Sequence, residues 1–329
     1  MKLAIIGAGG IAQAHCAGWE ALPDVQVIAV ADLILERAEN TARRFGARAY
    51  ASLEALLDAE HPEAVDLCVP TDLHGRLAVQ CLEAGLHVLC EKPMALNRKE
   101  ADAVMAAWRK SGKMLMYAQV LRFWPEYVYL KHLVSAGTYG RLLQGSFSRT
   151  SGAPEWGGWY VDPARSGMAP FELHIHDLDL IYYLLGKPGR LEAYGWRDDG
   201  RYASYLRTQL YYPGTLIDAE AGWYRGPVPW KATYRAVFER AVLDYNGSQL
   251  TLYEGQAKEP QVITLEAGPD GGPVLNLPGT GPYANEVAYF ASCVEDGRAP
   301  EVITPDESRE VIEMLFEAVE KSGGWLIEA

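Results

Sequence analysis

The chain has 329 residues, 49% hydrophobic and 22% charged, a balance too apolar for disorder and too mixed for a fibre. At about 100 to 200 residues per domain, that length suits two domains rather than a small stapled module. Lysine and arginine number 30 against 43 acidic side chains, and the net charge of −13 opposes nonspecific binding to phosphate backbones or anionic lipid, so neither nucleic acid nor a membrane is an expected partner.

Up to about residue 118, β-branched runs at 3–6, 25–31, 65–70, 87–90 and 113–118 read as strands, and the stretches 11–21, 35–45, 52–58, 77–84 and 98–111 are helical in length. Such alternation builds a doubly wound parallel sheet. Gly85 and Gly112 fall just past two of these helices, where a positive φ is often needed. From about residue 120 the texture changes: a helix over 125–136 ends at Gly137, and strand-like segments follow at 142–150, 191–196, 205–212, 215–224, 232–239, 241–245 and 249–253. Strands in succession imply an open, mixed, mostly antiparallel sheet. Helices over 284–295 and 305–322 close the chain, the second with Thr304, Pro305 and Glu307 in capping-box positions, and the Gly- and Pro-rich stretch 265–282 reads as a surface loop. The expected fold is therefore α/β, with a parallel doubly wound domain over 1–120 and an α+β domain over 121–329.

Cys16, Cys68, Cys81, Cys90 and Cys293 are odd in number and scattered through apolar stretches, which points to reduced thiols and a cytoplasmic protein. The opening apolar run is broken by Gly7, Gly9, Gly10, Gln13 and His15, so no exported or anchored segment is expected.

Gly7-Ala8-Gly9-Gly10-Ile11-Ala12 lies where the first strand meets the first helix. The first glycine allows a tight turn, the second lets the backbone approach a pyrophosphate, and the small Ala12 permits close packing of helix on strand. Asp32, at the end of the second strand, answers this loop at the spacing at which a carboxylate binds both ribose hydroxyls. It repels a 2′-phosphate, and Leu33, Ile34 and Leu35 offer no cation before Arg37, so NAD is expected in preference to NADP.

Two further turns leave carboxyl ends of strands: Pro70-Thr71-Asp72-Leu73-His74 and Glu91-Lys92-Pro93. With the glycine loop, Arg122-Phe123, Ser166-Gly167, His176 with Asp179, and the Thr304-Pro305 helix, the whole chain resembles the Gfo/Idh/MocA family of NAD(P)-dependent oxidoreductases acting on sugars, cyclitols and related polyols. The resemblance implies an N-terminal NAD-binding Rossmann domain and a C-terminal domain for substrate binding and oligomerisation. It implies cofactor contacts from Gly7, Gly9, Gly10, Ile11, Asp32, Pro70, Thr71, His74, Glu91, Lys92, Gln119 and Tyr283, with Lys92 also meeting the reacting hydroxyl.

Family members carry Asp-x-x-x-His on a helix of the second domain. Here Glu172 stands for the aspartate, one methylene longer, four residues before His176. On a helix starting near Pro170 and ending at Gly186, about 100° per residue places Glu172, His176, Asp179 and Tyr183 on one stripe and His174 on the opposite face. A strand would instead group Glu172, His174 and His176 as metal ligands. Helical geometry separates them, so no metal site is expected. Lys92, His176 and Glu172 are the expected catalytic residues: His176 suits the base, Lys92 the stabilisation of a developing alkoxide, and Glu172 the fixing of the imidazole tautomer, with a desolvated Lys92 as base the alternative.

Trp124, Trp156, Trp159 and Tyr160 are aromatic faces suited to a sugar ring or to packing. The expected function is an NAD-dependent oxidoreductase of a sugar, sugar acid or cyclitol hydroxyl. An NAD-dependent glycosidase and a ligand-sensing regulator are the alternatives. Bulky residues on both faces of strand 205–212 point to a homodimer or homotetramer through the open sheet.

Overall fold

The computed structural model describes residues 1–154, 158–197, 204–265 and 281–323. Two compact units divide the chain: Met1–Phe123 with Leu277–Arg309, and Trp124–Asn276 with Glu310–Ala329.

The first unit holds six parallel strands: β1 (Lys2–Ile6), β2 (Gln26–Ala31), β3 (Arg48–Tyr50), β4 (Ala64–Leu67), β5 (His87–Glu91) and β6 (Leu115–Ala118). Their order is β3-β2-β1-β4-β5-β6, so the winding reverses where β1 lies beside β4, and doubly wound folds bind ligands at the carboxyl ends of strands flanking such a point. The crossovers are α1 (Gly10–Glu20), α2 (Leu35–Phe45), α3 (Leu53–Ala59), α4 (His74–Glu83) and α5 (Arg98–Ser111). Apart from Lys2 and Asp66, β1 and β4 are apolar, and they are almost wholly buried because helices cover both faces of the sheet. Gly85 and Gly112 take the positive φ that their helix ends need.

Two features depart from expectation. β3 is a three-residue edge strand without a hydrophobic run. The helix α9 (Pro282–Asp296), expected in the second domain, packs instead on α1: a Cβ on Gly18 would stand 2.9 Å from the Ala284 Cα, and Trp19 meets Phe290 edge to face at 6.4 Å. The apolar side of α1 turned from the sheet needs a cover, and the returning chain supplies it. Beyond β6 the chain turns through Val120–Phe123, where Arg122, 1% exposed, donates to the Val302 carbonyl at 2.6 Å and to Glu307 at 2.7 Å. Glu307 N donates to Thr304 Oγ1 at 3.1 Å, forming the expected box at the start of the last helix.

The second unit is built on an eight-stranded sheet: β7 (Leu142–Gly152), β8 (Arg190–Arg197), β9 (Ser204–Tyr212), β10 (Thr215–Tyr224), β11 (Lys231–Phe238), β12 (Ala241–Tyr245), β13 (Leu250–Glu254) and β14 (Gln261–Ile263). The order is β14-β13-β12-β11-β7-β10-β9-β8, antiparallel except where β7 runs parallel to β10. Along β9 the residues Ser204, Leu206, Thr208 and Leu210 are buried, while Tyr205, Arg207, Gln209 and Tyr211 alternate on the opposite, open face. The helices are α6 (Pro125–Ala136), the short α7 (Pro163–Ser166) and α8 (Ile175–Leu185). The single helix expected from Pro170 is divided, because Pro170–His174 is a π-helical turn in which Ile175 N donates back to the Pro170 carbonyl. The expected loop falls outside the described residues over 266–280.

Candidate active site

β1 runs directly into Gly7. Its φ of 90° strains any L side chain, and a Cβ there would stand 2.2 Å from the Cys68 carbonyl oxygen. A Cβ on Gly9 or Gly10 would meet nothing within 4 Å, so the space over the first turn of α1 is open. Gly9 caps α1 without a side-chain bond and the first turn holds no acidic residue, which leaves that helix N-terminus suited to an outside anion. Ile11 continues α1 beside this opening.

Asp32 follows β2 and is docked on the loop. Its Oδ2 accepts from Ala8 N at 2.8 Å and its Oδ1 from Ile34 N at 2.7 Å. Each oxygen keeps a lone-pair direction for a ribose hydroxyl. The adjoining cleft is lined by Gly9, Gly10, Gln13, Arg37 and Asn40. Gln119, just past β6, is 3% exposed, and its Oε1 has no hydrogen-bond partner among the described residues. An open helix N-terminus, a docked carboxylate and a buried acceptor lacking a donor fit a dinucleotide.

The turns after β4 and β5 are tied together. Pro70 leads into one 3₁₀ turn, Thr71–Leu73, and then α4. His74, expected among the cofactor contacts, is 1% exposed, and its ring nitrogens face the Val69 carbonyl at 2.9 Å and the Pro93 carbonyl at 2.8 Å. Its visible role is to join the two turns. Glu91, expected to face the cofactor as well, is 7% exposed and turned inward: its Oε2 accepts from Lys92 N at 3.1 Å, and its Oε1 lies 3.2 Å from His15 Nε2. Lys92 leaves the carboxyl end of β5 as expected. Tyr283 lies on α9 with its ring 6.2 Å from that of His15.

In the second unit, Glu172 lies in the π turn and His176 in the first turn of α8. The wider π winding means that the angle of about 100° per residue does not carry from Glu172 to His176, whereas His176, Asp179 and Tyr183 keep their helical spacing. His174 is fully buried, with Nε2 3.0 Å from Thr208 Oγ1 on β9, so it anchors the turn to the sheet. Burial, reinforced by the Arg149 cation, lowers its pKa to about 3 and keeps it neutral. Trp159 stacks on Tyr160 at 3.9 Å and Tyr160 meets Trp223 at 6.5 Å, while Trp156 falls outside the described residues.

A family model described as an oxidoreductase family with an NAD-binding Rossmann fold matches residues 1–119, and the model of the GFO/IDH/MocA C-terminal domain matches residues 127–241. The chain belongs to the Gfo/Idh/MocA family. Among its relatives, D-glucoside 3-dehydrogenase of Escherichia coli (strain K12) is 33% identical over 57% of this chain and 55% of its own length. The scyllo-inositol 2-dehydrogenase (NAD(+)) of Bacillus subtilis (strain 168) is 26% identical over 93% of this chain and 90% of its own. The alignment spans about half the length of the first curated relatives. A solved levoglucosan dehydrogenase, in complex with NADH and levoglucosan, shares the fold with a TM-score of 0.86 at 20% identity over 98% of this chain and 97% of that one.

Two constellations of this Gfo/Idh/MocA chain escaped the sequence reading. Arg149 on β7 forms a bidentate pair with Asp177 on α8 at 2.9 and 3.0 Å, both side chains at most 6% exposed, and also donates to the Tyr127 hydroxyl at 3.3 Å. Neither charge lies on the stripe that drew attention to the helix. His15 pairs with Asp66 on β4, and both are fully buried. A carboxylate within an apolar strand flanked by other strands was the available signal, because such a charge must find a partner.

Proposed function

We propose that this chain is an NAD-dependent oxidoreductase that transfers a hydride between nicotinamide and a secondary hydroxyl, or the matching keto group, of a sugar, sugar acid or cyclitol. The observation that carries the reading is Asp32 bonded to the glycine loop beside an open helix N-terminus, in a chain whose relatives are named as glucoside and inositol dehydrogenases. The same carboxylate opposes a 2′-phosphate, so NAD is preferred to NADP.

Bound NAD supplies the hydride acceptor. Gly7 shapes the turn, Gly9, Gly10 and Ile11 present backbone N–H groups to phosphate, and Asp32 accepts the ribose hydroxyls. Gln119, Tyr283, Pro70 and Thr71 complete the contacts on the nicotinamide side, with His74 and Glu91 fixing the turns that carry Lys92. His176 takes the proton of the reacting hydroxyl, Lys92 stabilises the alkoxide that develops, and Glu172 sets the imidazole tautomer. The roles of His176 and Lys92 exchange if Lys92 is the base.

In this reading residues 1–120, joined by Tyr283 on α9, serve the cofactor, and the rest of 121–329 serves substrate and assembly. The open face of the second sheet, with Tyr194, Trp196, Tyr205 and Tyr211, supports a homodimer or homotetramer. Five buried free cysteines support a cytoplasmic location. Among the described residues no helix is long and apolar enough to cross a membrane.

The experiment is a panel of polyols, sugars and sugar acids scored by NADH absorbance, repeated with His176→Ala and Lys92→Ala. Turnover should fall by about 10² to 10⁴ in both variants, with NADH affinity nearly kept in His176→Ala. Full turnover in His176→Ala removes that histidine from the mechanism, and release of a free sugar without net NADH overturns the dehydrogenase reading in favour of an NAD-dependent glycosidase.

A further inference from the structure

Behind the glycine loop lies a buried ionic chain that the proposed chemistry does not use. Asp66 is 0% exposed, in a strand flanked by β1 and β5, where a lone carboxylate would be strongly disfavoured. It is held instead by three donors: Trp19 Nε1 at 2.7 Å, His15 Nδ1 at 3.0 Å and the Cys68 thiol at 3.4 Å. His15, also 0% exposed, turns its other nitrogen towards Glu91 Oε1 at 3.2 Å, an ion-pair contact whose angle falls short of a hydrogen bond. Glu91 Oε2 accepts from the backbone N–H of Lys92 at 3.1 Å. The chain thus runs from α1 through β4 to the peptide that begins the Lys92 turn.

A neutral imidazole has one N–H and could serve only one of these carboxylates, whereas an imidazolium faces both with a donor and a charge. The groups around His15 agree: Asp66 and Cys68 from β4 and its end, Glu91 from β5, Cys16 from α1, and the Tyr283 ring from α9, with Trp19 bonded to Asp66 rather than to the imidazole. Burial alone would lower the His15 pKa, but Asp66 and then Cys68 beside it raise it well above the usual value. Burial pushes the Cys68 thiol up, so it donates to Asp66 as S–H.

We propose that His15 is a positioning residue: a buried imidazolium that, braced by Asp66, fixes the Glu91 carboxylate and through it the main-chain N–H from which the Lys92 side chain departs. The inference rests on the reading of Lys92 as a group acting on the substrate hydroxyl. An error of about 1 Å in such a group can cost about 10² in rate without loss of binding.

The test uses the full chain and the variants His15→Gln, Glu91→Gln and His15→Gln/Asp66→Asn, with Lys92→Ala as the control for the underlying reading. In ¹⁵N-labelled wild-type protein, the imidazole resonances that vanish in His15→Gln should both lie in the protonated range at pH 7.5. On the identified substrate, His15→Gln and Glu91→Gln should each lower kcat about 10- to 100-fold while KM and the NADH dissociation constant change less than about threefold. The double variant removes one of the two carboxylates that His15→Gln leaves uncompensated but gives Glu91 no partner, so its kcat should stay at the His15→Gln level, and recovery to the wild-type value would overturn the proposal. Should His15→Gln not fold, Glu91→Gln carries the kinetic test, because it removes a charge without changing size, and wild-type resonance positions carry the other. A neutral His15 at pH 7.5, or kcat within about twofold of wild type in Glu91→Gln while Lys92→Ala is inactive, overturns the proposal. Full activity in Lys92→Ala overturns the reading of Lys92 instead, and leaves the imidazolium to be judged by its resonances.

Discussion

Gly7 and Gly10 stand three residues apart, one in the turn after β1 and one opening α1, and the structure gives them opposite reasons for lacking a side chain. At Gly7→Ala the new residue must hold a φ of 90°, for which left-handed backbone costs an L residue about 1 to 2 kcal/mol. Its Cβ must also gain more than 1 Å from the Cys68 carbonyl oxygen, 2.2 Å away, to reach the 3.4 Å of an ordinary contact. That movement strains two bonds, Gly7 N to the Ala31 carbonyl at 2.7 Å and Cys68 N to the Ile6 carbonyl at 2.8 Å, each worth about 1 kcal/mol net. Together the loss is about 3 to 4 kcal/mol, a large part of the roughly 5 to 15 kcal/mol available to a domain. Gly10→Ala meets nothing within 4 Å and adds a helix former to α1, so stability should hold or rise by a few tenths of a kcal/mol. Its methyl group does enter the space over the helix N-terminus, and NADH affinity should fall about tenfold, or about 1.4 kcal/mol. Native-state amide exchange of β1 and β4 reads the first effect, and fluorescence titration with NADH the second. Exchange free energies within about 0.5 kcal/mol of wild type in Gly7→Ala would refute the steric argument.

Four other outcomes are expected. Calorimetry should find NADH bound more tightly than NADPH, and Asp32→Ala should narrow the gap; equal constants in the wild type would remove Asp32 from cofactor choice. Arg149→Met should cost about 3 to 5 kcal/mol by leaving Asp177 buried and uncompensated, while Arg149→Met/Asp177→Leu should regain most of it, as urea melts would register. His174 binds a proton in the unfolded chain near pH 6.5 but in the folded chain only near about 3, so its contribution is intact above pH 6.5 and is lost as pH falls through that window, by up to about 1.4 kcal/mol per pH unit; His174→Gln should flatten this part of the stability curve. Light scattering at micromolar concentration should give a dimer or tetramer, and a monomer would leave the open face of the sheet without its proposed partner.

What could be read in advance followed from local rules. The glycine loop and Asp32 declare themselves because backbone geometry fixes their spacing, and the capping box at Thr304 is complete within four residues. β3 gave no such sign, since three residues at a sheet edge need no alternation. The π turn at Pro170 is equally silent: shifting a hydrogen bond from i−4 to i−5 leaves no mark on composition, although it changes where Glu172 points relative to α8. His15 was invisible for another reason, because its partner Asp66 lies 51 residues away and only the sheet brings them together. Glu91 and His74 were expected as cofactor contacts through the family resemblance, and their inward bonds depend on the same long-range assembly.

The placement of α9 bears on how the polypeptide matures. Synthesis proceeds from the N-terminal side, yet the core behind α1 is closed by residues after 281. A nascent chain emerging from the ribosome can therefore pair β1 to β6 early but must carry Trp19 without Phe290 until the residues of α9 have been made. Cutting at Phe123 would not release an autonomous nucleotide-binding fragment, because the piece discarded contains its lid of packing residues. Grafting of the second unit onto another member would have to respect three junctions, at 123/124, 276/277 and 309/310, rather than one.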